Sequence, residues 1–455
     1  MAINRRTFLF NTGLSLAGAA ALTASCRAGT AAMADESPSF DPTSWDSVRQ
    51  QFGTSPEYVH LASFFLASHP RPVRDAIEKH RKALDLNPFE TVEHNMFGEP
   101  LVVEKKVAEY VGGKAEEIAL TDSTTMGLAL IYLGLPIRAG QEMLTTDHDH
   151  YAHHESIRLA ATRAGATVKR IALFEDFAKI SEADIVDRIR KAITPKTRTV
   201  GVTWVHSSSG LKLPIRAIAA AVAEANKGRA EADRAFLIVD GVHGIGVEDE
   251  TIAEMGADLF SAGTHKWIFG PRGTGFVWAK SETWAKMTPV IPSFGGVPYV
   301  AWMMESTVHD PAVHKAIKEF TGQEITGTQG EWFSPGGFHA FEHQWAIPAA
   351  LEFHKQIGKK RVAERIHQLN DQAKEGLAAM KHVKLYTPLG HKMSAGIVCF
   401  DVEGMRPEAV VAKLLEKRII ATTTPYRITY ARLAPSLLNT PEEVDKALSY
   451  IREMA

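Results

Sequence analysis

The sequence has little cysteine, little net charge and few long apolar runs, and each shortage excludes a class of protein. Its 455 residues include two cysteines, Cys26 and Cys399, too few for the disulfide framework of a small secreted domain. Lys and Arg total 51 against 53 for Asp and Glu, so no positive field exists to hold nucleic acid, and we expect no nucleic-acid partner. Beyond the N-terminal stretch, no run approaches the roughly 18 apolar residues of a spanning helix. We therefore expect a soluble body.

The sequence does contain enough apolar material for a large core. Hydrophobic residues make up 45% and charged residues 23% of the chain, which excludes an intrinsically disordered protein. At about 150 residues per domain, the length fits two folded units or one large α/β unit.

The N-terminus, residues 1–34, is typical of a targeting segment. Arg5 and Arg6 precede a modestly apolar stretch rich in Ala and Gly, and residues 32–34 read Ala-Met-Ala, an A-x-A cleavage site. The pattern resembles a twin-arginine signal, which predicts export to the periplasm by the twin-arginine translocation machinery. Two alternatives stay open: lipidation at Cys26, which would tether the protein to a membrane, and a chance arginine pair in a cytosolic N-terminus.

Short apolar runs alternate with helical patterns from about residue 100 onwards. This alternation predicts an α/β fold with a parallel sheet covered by helices on both faces, and ligands at the carboxyl ends of the strands. The strand candidates of the sheet are 117–121, 142–146, 166–173, 197–205, 235–239, 259–261 and 273–278. Helical spacing is found over 99–111, 185–192 and 215–225.

Composition and periodicity also suggest domain boundaries. We expect an N-terminal arm over 35–60, a large domain over 61–335 and a smaller C-terminal α/β domain over 336–455. Residues 287–340 are rich in Gly, Pro and aromatics and are predicted to be an irregular crossing between the two domains. The small domain is predicted to begin with a long helix near Glu342, to contain a strand over 395–402 and to end with a helix from Pro441.

Three local patterns carry chemistry. Lys266 stands between a strand end and a glycine-rich turn, where an amine is placed for covalent chemistry on an aldehyde. Asp240 stands at the end of the preceding apolar strand, where its carboxylate could keep a pyridine nitrogen protonated. Hydroxyls over 121–127 stand at a strand-to-helix turn, which is a cradle for an anion. Taken alone, the lysine could be a surface residue, the aspartate a helix cap or a metal ligand, and the hydroxyls an N-cap. Taken together and in this order, they supply the three groups that pyridoxal 5′-phosphate (PLP) needs: an amine for its aldehyde, a carboxylate for its pyridine nitrogen and a site for its phosphate.

With these motifs the sequence resembles the class V aminotransferase family of fold type I PLP enzymes, from about residue 55 to the C-terminus. The family includes cysteine desulfurases and isopenicillin N epimerase-like proteins. The resemblance implies a fold type I PLP-dependent transferase, a homodimer, and aminotransferase, epimerase or lyase chemistry on an amino acid or an amine-bearing metabolite.

The resemblance implies roles for residues around the cofactor ring. Lys266 would bond the cofactor covalently and later move the proton at the substrate α-carbon, and Asp240 would pair with the pyridine nitrogen. His150 would stack on the ring. His243 and Ser207 would lie near the ring hydroxyl.

The resemblance also implies a phosphate site and a substrate site. Thr124, Thr125, Thr264 and His265 would hold the phosphate. Arg432 would bind the substrate carboxylate as a two-pronged fork.

The sequence departs from the family pattern in two places. Cys399 lies in an apolar strand pattern, which predicts an inert core thiol and argues against a desulfurase that forms a persulfide on cysteine. The stretch 334–343 replaces the Gly-Thr pair that many relatives offer to the partner subunit's phosphate, so that contact is altered or comes from 326–328. This stretch is similar to that of exported relatives, including a periplasmic enzyme that tailors pyoverdine siderophores.

A competing constellation lies over 147–155, where four histidines and three carboxylates fall within nine residues. It could bind zinc, iron or copper, which keeps open an exported metal-binding or non-catalytic binding protein on a PLP-enzyme scaffold. The run has no repeated helical ligand spacing, however, so we expect no metal site and a function for His150 alone. His339 and His343 are similarly expected to share a helix face.

Export is predicted to depend on Arg5 and Arg6 together. Changing both to Lys should trap the precursor in the cytoplasm, because the following segment is too weakly apolar for a strong Sec signal. Cell fractionation and sequencing of the mature N-terminus measure this. Unchanged periplasmic delivery of the double variant, or a mature N-terminus at Met1, would contradict it.

Overall fold

The computed structural model describes residues 40–175, 177–322 and 330–454. The predicted signal segment, Cys26 and the stretch 326–328 lie outside the described residues. Within those ranges, no helix combines the length and the apolar character needed to cross a bilayer.

One large sheet organises the described chain. The strands, in chain order β1 to β13, are Val59–His60, Ile118–Thr121, Glu142–Thr146, Thr167–Ile171, Thr197–Thr203, Phe236–Asp240, Leu259–Gly263, Gly275–Ala279, Val383–Leu385, Val398–Val402, Ile419–Ile420, Thr422–Thr423 and Ala431–Leu433. In the described residues the large sheet has seven strands in the order β2-β8-β7-β6-β5-β3-β4.

The large sheet is parallel except at β8, which runs antiparallel to both β7 and β2. The turn between β7 and β8 is too short to hold a crossover helix, so the second strand returns beside the first. Strands β5 to β8 are buried along their whole length, as expected for a sheet covered on both faces. The predicted mainly parallel α/β fold is confirmed.

Helices cover this sheet and build the rest of the chain. In chain order α1 to α16 they are Trp45–Gln50, Arg71–Leu86, Pro88–Asn95, Gly98–Val111, Thr124–Gly134, Tyr151–Ala164, Glu182–Ala192, Ile215–Ala225, Ser281–Trp284, Gly296–Met303, Pro311–Thr321, Phe341–Gln344, Ile347–Ile357, Lys359–Ala378, Pro407–Glu416 and Pro441–Arg452. The last begins with a capping box between Thr440 and Glu443.

The prediction that 287–340 is irregular is wrong for two segments, α10 and α11. Asp310 caps α11, because its side chain accepts a hydrogen bond from Ala312 N–H. A proline occupies the first turn of the helix, where its missing N–H has no cost. Val313 and Ile317, four residues apart, are buried on its inner face. The abundance of Gly and Pro around these helices concealed a short amphipathic pattern.

The single long helix predicted from Glu342 is instead three helices, α12, α13 and α14. Gly358 separates the last two with φ 94, a conformation that interrupts a helix and that glycine adopts at low cost. The predicted helix from Pro441 is confirmed.

A four-stranded sheet in the described residues, β12-β13-β10-β9, lies in the C-terminal part of the chain. Strand β1 pairs in parallel with β11, so that Val59 lies opposite Ile419. Val59 and Leu61 belong to the same hydrophobic cluster as Phe400 and Leu433. The N-terminal arm is therefore part of the C-terminal core, while the predicted domain boundaries stay predictions.

Close packing fixes the turn that follows β6. A Cβ at Gly241 would collide with the ring of Phe260, and one at Gly244 would collide with the indole of Trp204. Both aromatic side chains are at most 1% exposed and have no free space to move into. The backbone after Asp240 can therefore follow its path only with glycine at these positions.

Gly241→Ala is expected to lower the free energy of unfolding by about 2 kcal/mol through overpacking. Gly390→Ala is the matched control, because a Cβ at that exposed glycine meets nothing within 4 Å. Chemical denaturation of both variants measures the difference, and equal stabilities would contradict the packing argument.

Candidate active site

A chain of hydrogen bonds leads to the amine of Lys266, in the turn between β7 and β8. Trp267 Nε1–H donates to His243 Nδ1 at 3.2 Å, and His243 Nε2 lies 3.3 Å from Lys266 Nζ. Burial lowers the pKa of His243 well below its ordinary value, so the ring is neutral. Because Nδ1 accepts, the single ring proton is on Nε2 and points at the amine. Lys266 Nζ therefore accepts this hydrogen bond when its amine is in the neutral form.

The charge environment of Lys266 acts in the same direction. Burial lowers its pKa to about 8; Asp240 opposes this and Arg432 adds to it. The neutral amine, which is the nucleophilic form, is thus populated at a lower pH than in an exposed lysine.

Asp240 ends β6 with its side chain at the carboxyl edge of the large sheet, as predicted. The residue is 3% exposed, and the one hydrogen bond to its carboxylate from the described chain is from Val242 N–H, at 3.2 Å. Burial raises its pKa to about 6 despite that bond and the charge of Lys266. The carboxylate is therefore short of stabilising partners and suited to a cationic N–H from a ligand.

The hydroxyl-rich turn at the start of α5 also lies at this edge. Ser123 caps the helix by accepting from Met126 N–H. Thr124 Oγ1 accepts from Gly263 N–H at 2.7 Å, which ties the turn to the end of β7 and leaves the hydroxyl proton for an anion. The exposed Thr125 follows in the same first turn. The two threonines and the helix N-terminus are arranged as an anion cradle.

Two predicted phosphate ligands have other contacts. The Thr264 hydroxyl is fully buried and bonds the Thr274 hydroxyl, which in turn bonds Pro271 O. We therefore correct its role from holding phosphate to bracing the glycine-rich turn. His265 is partly exposed, and its Nδ1 lies 3.3 Å from Thr274 O, so only its remaining nitrogen is free for a ligand.

His150, Tyr426 and Ser207 form one side of the site. His150 caps α6 by accepting from Ala152 N–H, and its ring contacts the edge of Tyr426 at 5.9 Å between centroids. Burial first, then Lys266 and Arg432, lower the pKa of His150, which indicates that these groups share one pocket. Ser207 Oγ bonds Tyr426 OH at 2.7 Å, so this hydroxyl already has a protein partner.

Arg432 lies on β13, in the C-terminal part of the chain, and reaches the site of the large sheet. Its Nε donates to Thr422 Oγ1 at 2.8 Å and its Nη1 donates to Ser207 O at 2.9 Å. The guanidinium lies 4.6 Å over the ring of Phe64, a cation–π contact. With respect to the described part of the chain, one N–H of Nη1 and both of Nη2 remain for a ligand carboxylate.

The histidine- and carboxylate-rich run over 147–155 is mostly used within the fold. Asp149 accepts from Thr145 Oγ1 and from the backbone N–H groups of Thr146 and Thr203, at 2.8 to 2.9 Å. Burial alone would raise the pKa of Asp149, but its contacts with His206, His153 and Thr203 hold that pKa below the ordinary range. His153 Nε2 bonds Tyr132 OH at 2.7 Å. Asp149 thereby joins the ends of β3 and β5 beneath His150.

Sequence reasoning missed three residues of this site. Trp267 fixes His243, Phe64 lies under Arg432 and within 5.6 Å of the His243 ring, and Tyr426 joins Ser207 to His150. An indole beside a lysine is a visible signal. Phe64 and Tyr426 lie outside regular elements and had no pattern to mark them.

The assembled residues fit PLP. The under-stabilised carboxylate of Asp240 suits a pyridinium N–H, the neutral amine of Lys266 suits an aldehyde, and the cradle at Thr124 and Thr125 suits a phosphate. His150 borders the space between them.

Comparison with known proteins gives the same assignment. The family profile described as Aminotransferase class-V matches residues 70–425. The isopenicillin N epimerase of Amycolatopsis lactamdurans is 23% identical over 379 residues, which cover 80% of this chain and 87% of that protein. A probable cysteine desulfurase of Vibrio cholerae is 22% identical over 433 residues, which cover 90% of this chain and 98% of that protein.

Solved structures share the fold. The cystine C–S lyase C-DES, in complex with its product cysteine persulfide, superposes with a TM-score of 0.73 at 22% identity, over 88% of this chain and 98% of that one. A cysteine desulfurase of Thermococcus onnurineus also reaches 0.73, at 20% identity, over 90% of this chain and 97% of that one. By its sequence, its fold and the residues gathered around Lys266, the chain belongs to the class V aminotransferase family of fold type I PLP enzymes.

Proposed function

We propose that the chain is a periplasmic PLP enzyme that acts on an amino acid or on an amine-bearing metabolite that keeps a free carboxylate. The observation that carries the proposal is the convergence of three groups in one pocket: Lys266 with a lowered pKa, a buried Asp240 and the Arg432 guanidinium. Bound PLP supplies an aldehyde that condenses with an amine and a ring that stabilises negative charge on the carbon beside it.

The protein's own groups then act on the substrate. Lys266, neutral and aligned by His243, is the base that removes the α-proton and the acid that returns it. Arg432 holds the carboxylate and so orients the α-carbon. The rings of His150 and Tyr426, in contact with each other, form one side of the pocket. The outcome is transamination, epimerisation or elimination, according to where the proton is returned and whether the substrate carries a leaving group.

Several relatives are named cysteine desulfurases, and Cys399 bears on that activity. It lies in β10, is 0% exposed, and burial raises the pKa of its thiol to about 12. This burial supports the prediction of an inert core thiol. A buried, protonated thiol cannot take up sulfur from a substrate, so the proposed chemistry does not use a persulfide on this cysteine.

Incubation of the holoenzyme in D₂O with amino acids and with amine-bearing siderophore precursors, followed by mass analysis, tests the proposal. Deuterium at the α-carbon, a keto product or an eliminated fragment supports it and identifies the reaction type. If no compound with a free amine and a carboxylate is changed, the proposed function is wrong. Export and homodimer formation are further parts of the proposal, tested by fractionation and by light scattering.

Lys266→Ala is expected to fold and to lose covalent attachment of PLP. Borohydride reduction followed by peptide mapping measures the attachment. Lys280→Ala is the matched control, because Lys280 pairs with Asp258 at the opposite end of the sheet. Label on any lysine other than Lys266 would overturn the assignment.

The capture of PLP by apoenzyme should also depend on pH. Because the neutral amine reacts and burial lowers its pKa to about 8, the rate should rise through pH 8. A midpoint near the ordinary lysine value of 10.5 would contradict the lowering of the pKa by burial.

Asp240→Asn is expected to retain PLP and to lower kcat by roughly a hundredfold, since a charged hydrogen bond contributes about 1.5–3 kcal/mol. Asp258→Asn is the control, because that carboxylate accepts from Leu237 N–H and pairs with Lys280 away from the site. Steady-state kinetics of the two variants decide the point, and near-normal turnover by Asp240→Asn would refute its role.

A further inference from the structure

The hairpin of strands β12 and β13 carries a second polar side chain into the pocket besides Arg432. Arg432 lies on β13, and Tyr426 lies in the connection between the two strands. Lys266 and Asp240, the groups suited to the cofactor, lie instead in or directly after strands of the large sheet. The hairpin that provides the carboxylate ligand of the proposed reaction therefore also provides a phenol.

Hydrogen bonds within the hairpin brace the connection that contains Tyr426. Thr424 is 2% exposed, its N–H donates to Tyr430 O, and its Oγ1 accepts from Tyr430 N–H, both at 2.9 Å. The ring of Tyr430 stacks on Tyr386 with 4.0 Å between centroids. The backbone on both sides of Tyr426 is thus held in place, which favours a fixed position for the phenol.

Ser207 contacts both the phenol and the guanidinium. Its Oγ lies 2.7 Å from Tyr426 OH, and its carbonyl oxygen accepts a hydrogen bond from Arg432 Nη1–H at 2.9 Å. Tyr426 and Arg432 are therefore neighbours that share one partner. Burial, the largest effect, raises the pKa of Tyr426 above its ordinary value, and the charge of Arg432 partly opposes this. The phenol thus keeps its proton at neutral pH and can act as a donor.

The hydroxyls of Ser207 and Tyr426 have one proton more than their mutual bond uses. Each hydroxyl brings one proton, and one of the two forms the 2.7 Å bond. Among the described residues, neither hydroxyl oxygen has another hydrogen-bond partner. A phenol is a stronger acid than an aliphatic hydroxyl, and an ionised carboxylate is the stronger acceptor. With a carboxylate in the pocket, the favoured chain therefore runs from Ser207 to the phenol oxygen and from the phenol to the carboxylate.

We infer that Tyr426 is a substrate-binding residue that donates its hydroxyl proton to the same carboxylate that Arg432 binds. The inference rests on the proposed function, because it adds a second donor to the carboxylate site of that reaction. The substrate class that gains most from both contacts is an α-amino acid, or a metabolite that ends in one. An amine without a carboxylate loses both contacts and is selected against.

Glycine and methylamine are the probes, and the absorbance of the PLP-loaded holoenzyme is the measurement. Both probes carry a primary amine that can condense with PLP, whereas only glycine carries a carboxylate. Glycine has no side chain, so its binding does not depend on how the rest of a substrate fits. Each Kd is expressed per concentration of neutral amine, so that the different basicities of the two probes do not enter. The ratio of the two Kd values then isolates recognition of the carboxylate.

Tyr426→Phe is expected to reduce the preference for glycine at least about tenfold while leaving PLP content unchanged, because a hydrogen bond to a charged group is lost. Ser207→Ala should reduce the preference less, because the phenol keeps its own proton for the carboxylate. Tyr430→Phe is the matched control, since it removes a hydroxyl from the same hairpin and keeps the ring that stacks on Tyr386.

The outcomes separate this inference from the proposed function. A wild-type protein without preference for glycine would refute the free-carboxylate function and this inference with it. If the wild type prefers glycine and Tyr426→Phe retains that preference, the proposed function stands and the inference is wrong. A shift in the absorbance of bound PLP with an unchanged preference would assign the phenol to the cofactor instead. An equal loss in Tyr430→Phe would show that the hairpin, and not the phenol, is responsible.

Discussion

The hydrogen bond between His243 and the buried amine of Lys266 is the interaction on which the rest of the site depends. Its direction is set by a tautomer: Trp267 donates to one nitrogen of His243 and so places the ring proton on the other. The indole is 1% exposed and stacked on Phe64 at 6.0 Å, so the chain of donors starts from a rigid core residue. Packing in the core thus fixes which nitrogen of His243 faces the ligand edge as a donor.

The same edge is built from segments far apart in sequence. Asp149 binds the ends of β3 and β5, Thr124 binds the end of β7, and Ser207 accepts from Arg432 on β13. The bonds of Asp149 and Thr124 use backbone groups at strand ends, where the parallel ladder stops and polar groups need other partners. The requirement to satisfy those groups brings the functional side chains together.

Much of this was predictable from sequence, and the reasons for the rest are physical. Strand β3 and helix α8 have the predicted bounds, because their apolar periodicity is uninterrupted. The placement of Lys266, Asp240 and Thr124 at one edge of the sheet was predictable, because each lies at or just after the end of a strand. The corrected role of Thr264 and the contacts of Tyr426 depend on side-chain partners from distant loops, which no local pattern encodes. Helix α11 was missed because the surrounding glycines and prolines suggested only loop.

The pairing of β1 with β11 has a consequence for the order of assembly. Strand β1 is completed early in synthesis, yet its partner and Arg432 emerge only near the end of the chain. Phe64 follows β1 directly and lies against Arg432 and His243. Closing this large loop has an entropic cost, which is offset only when the contacts of the C-terminal core form. The substrate side of the pocket therefore closes last, and a truncated or nascent chain can form the large sheet without forming a competent site.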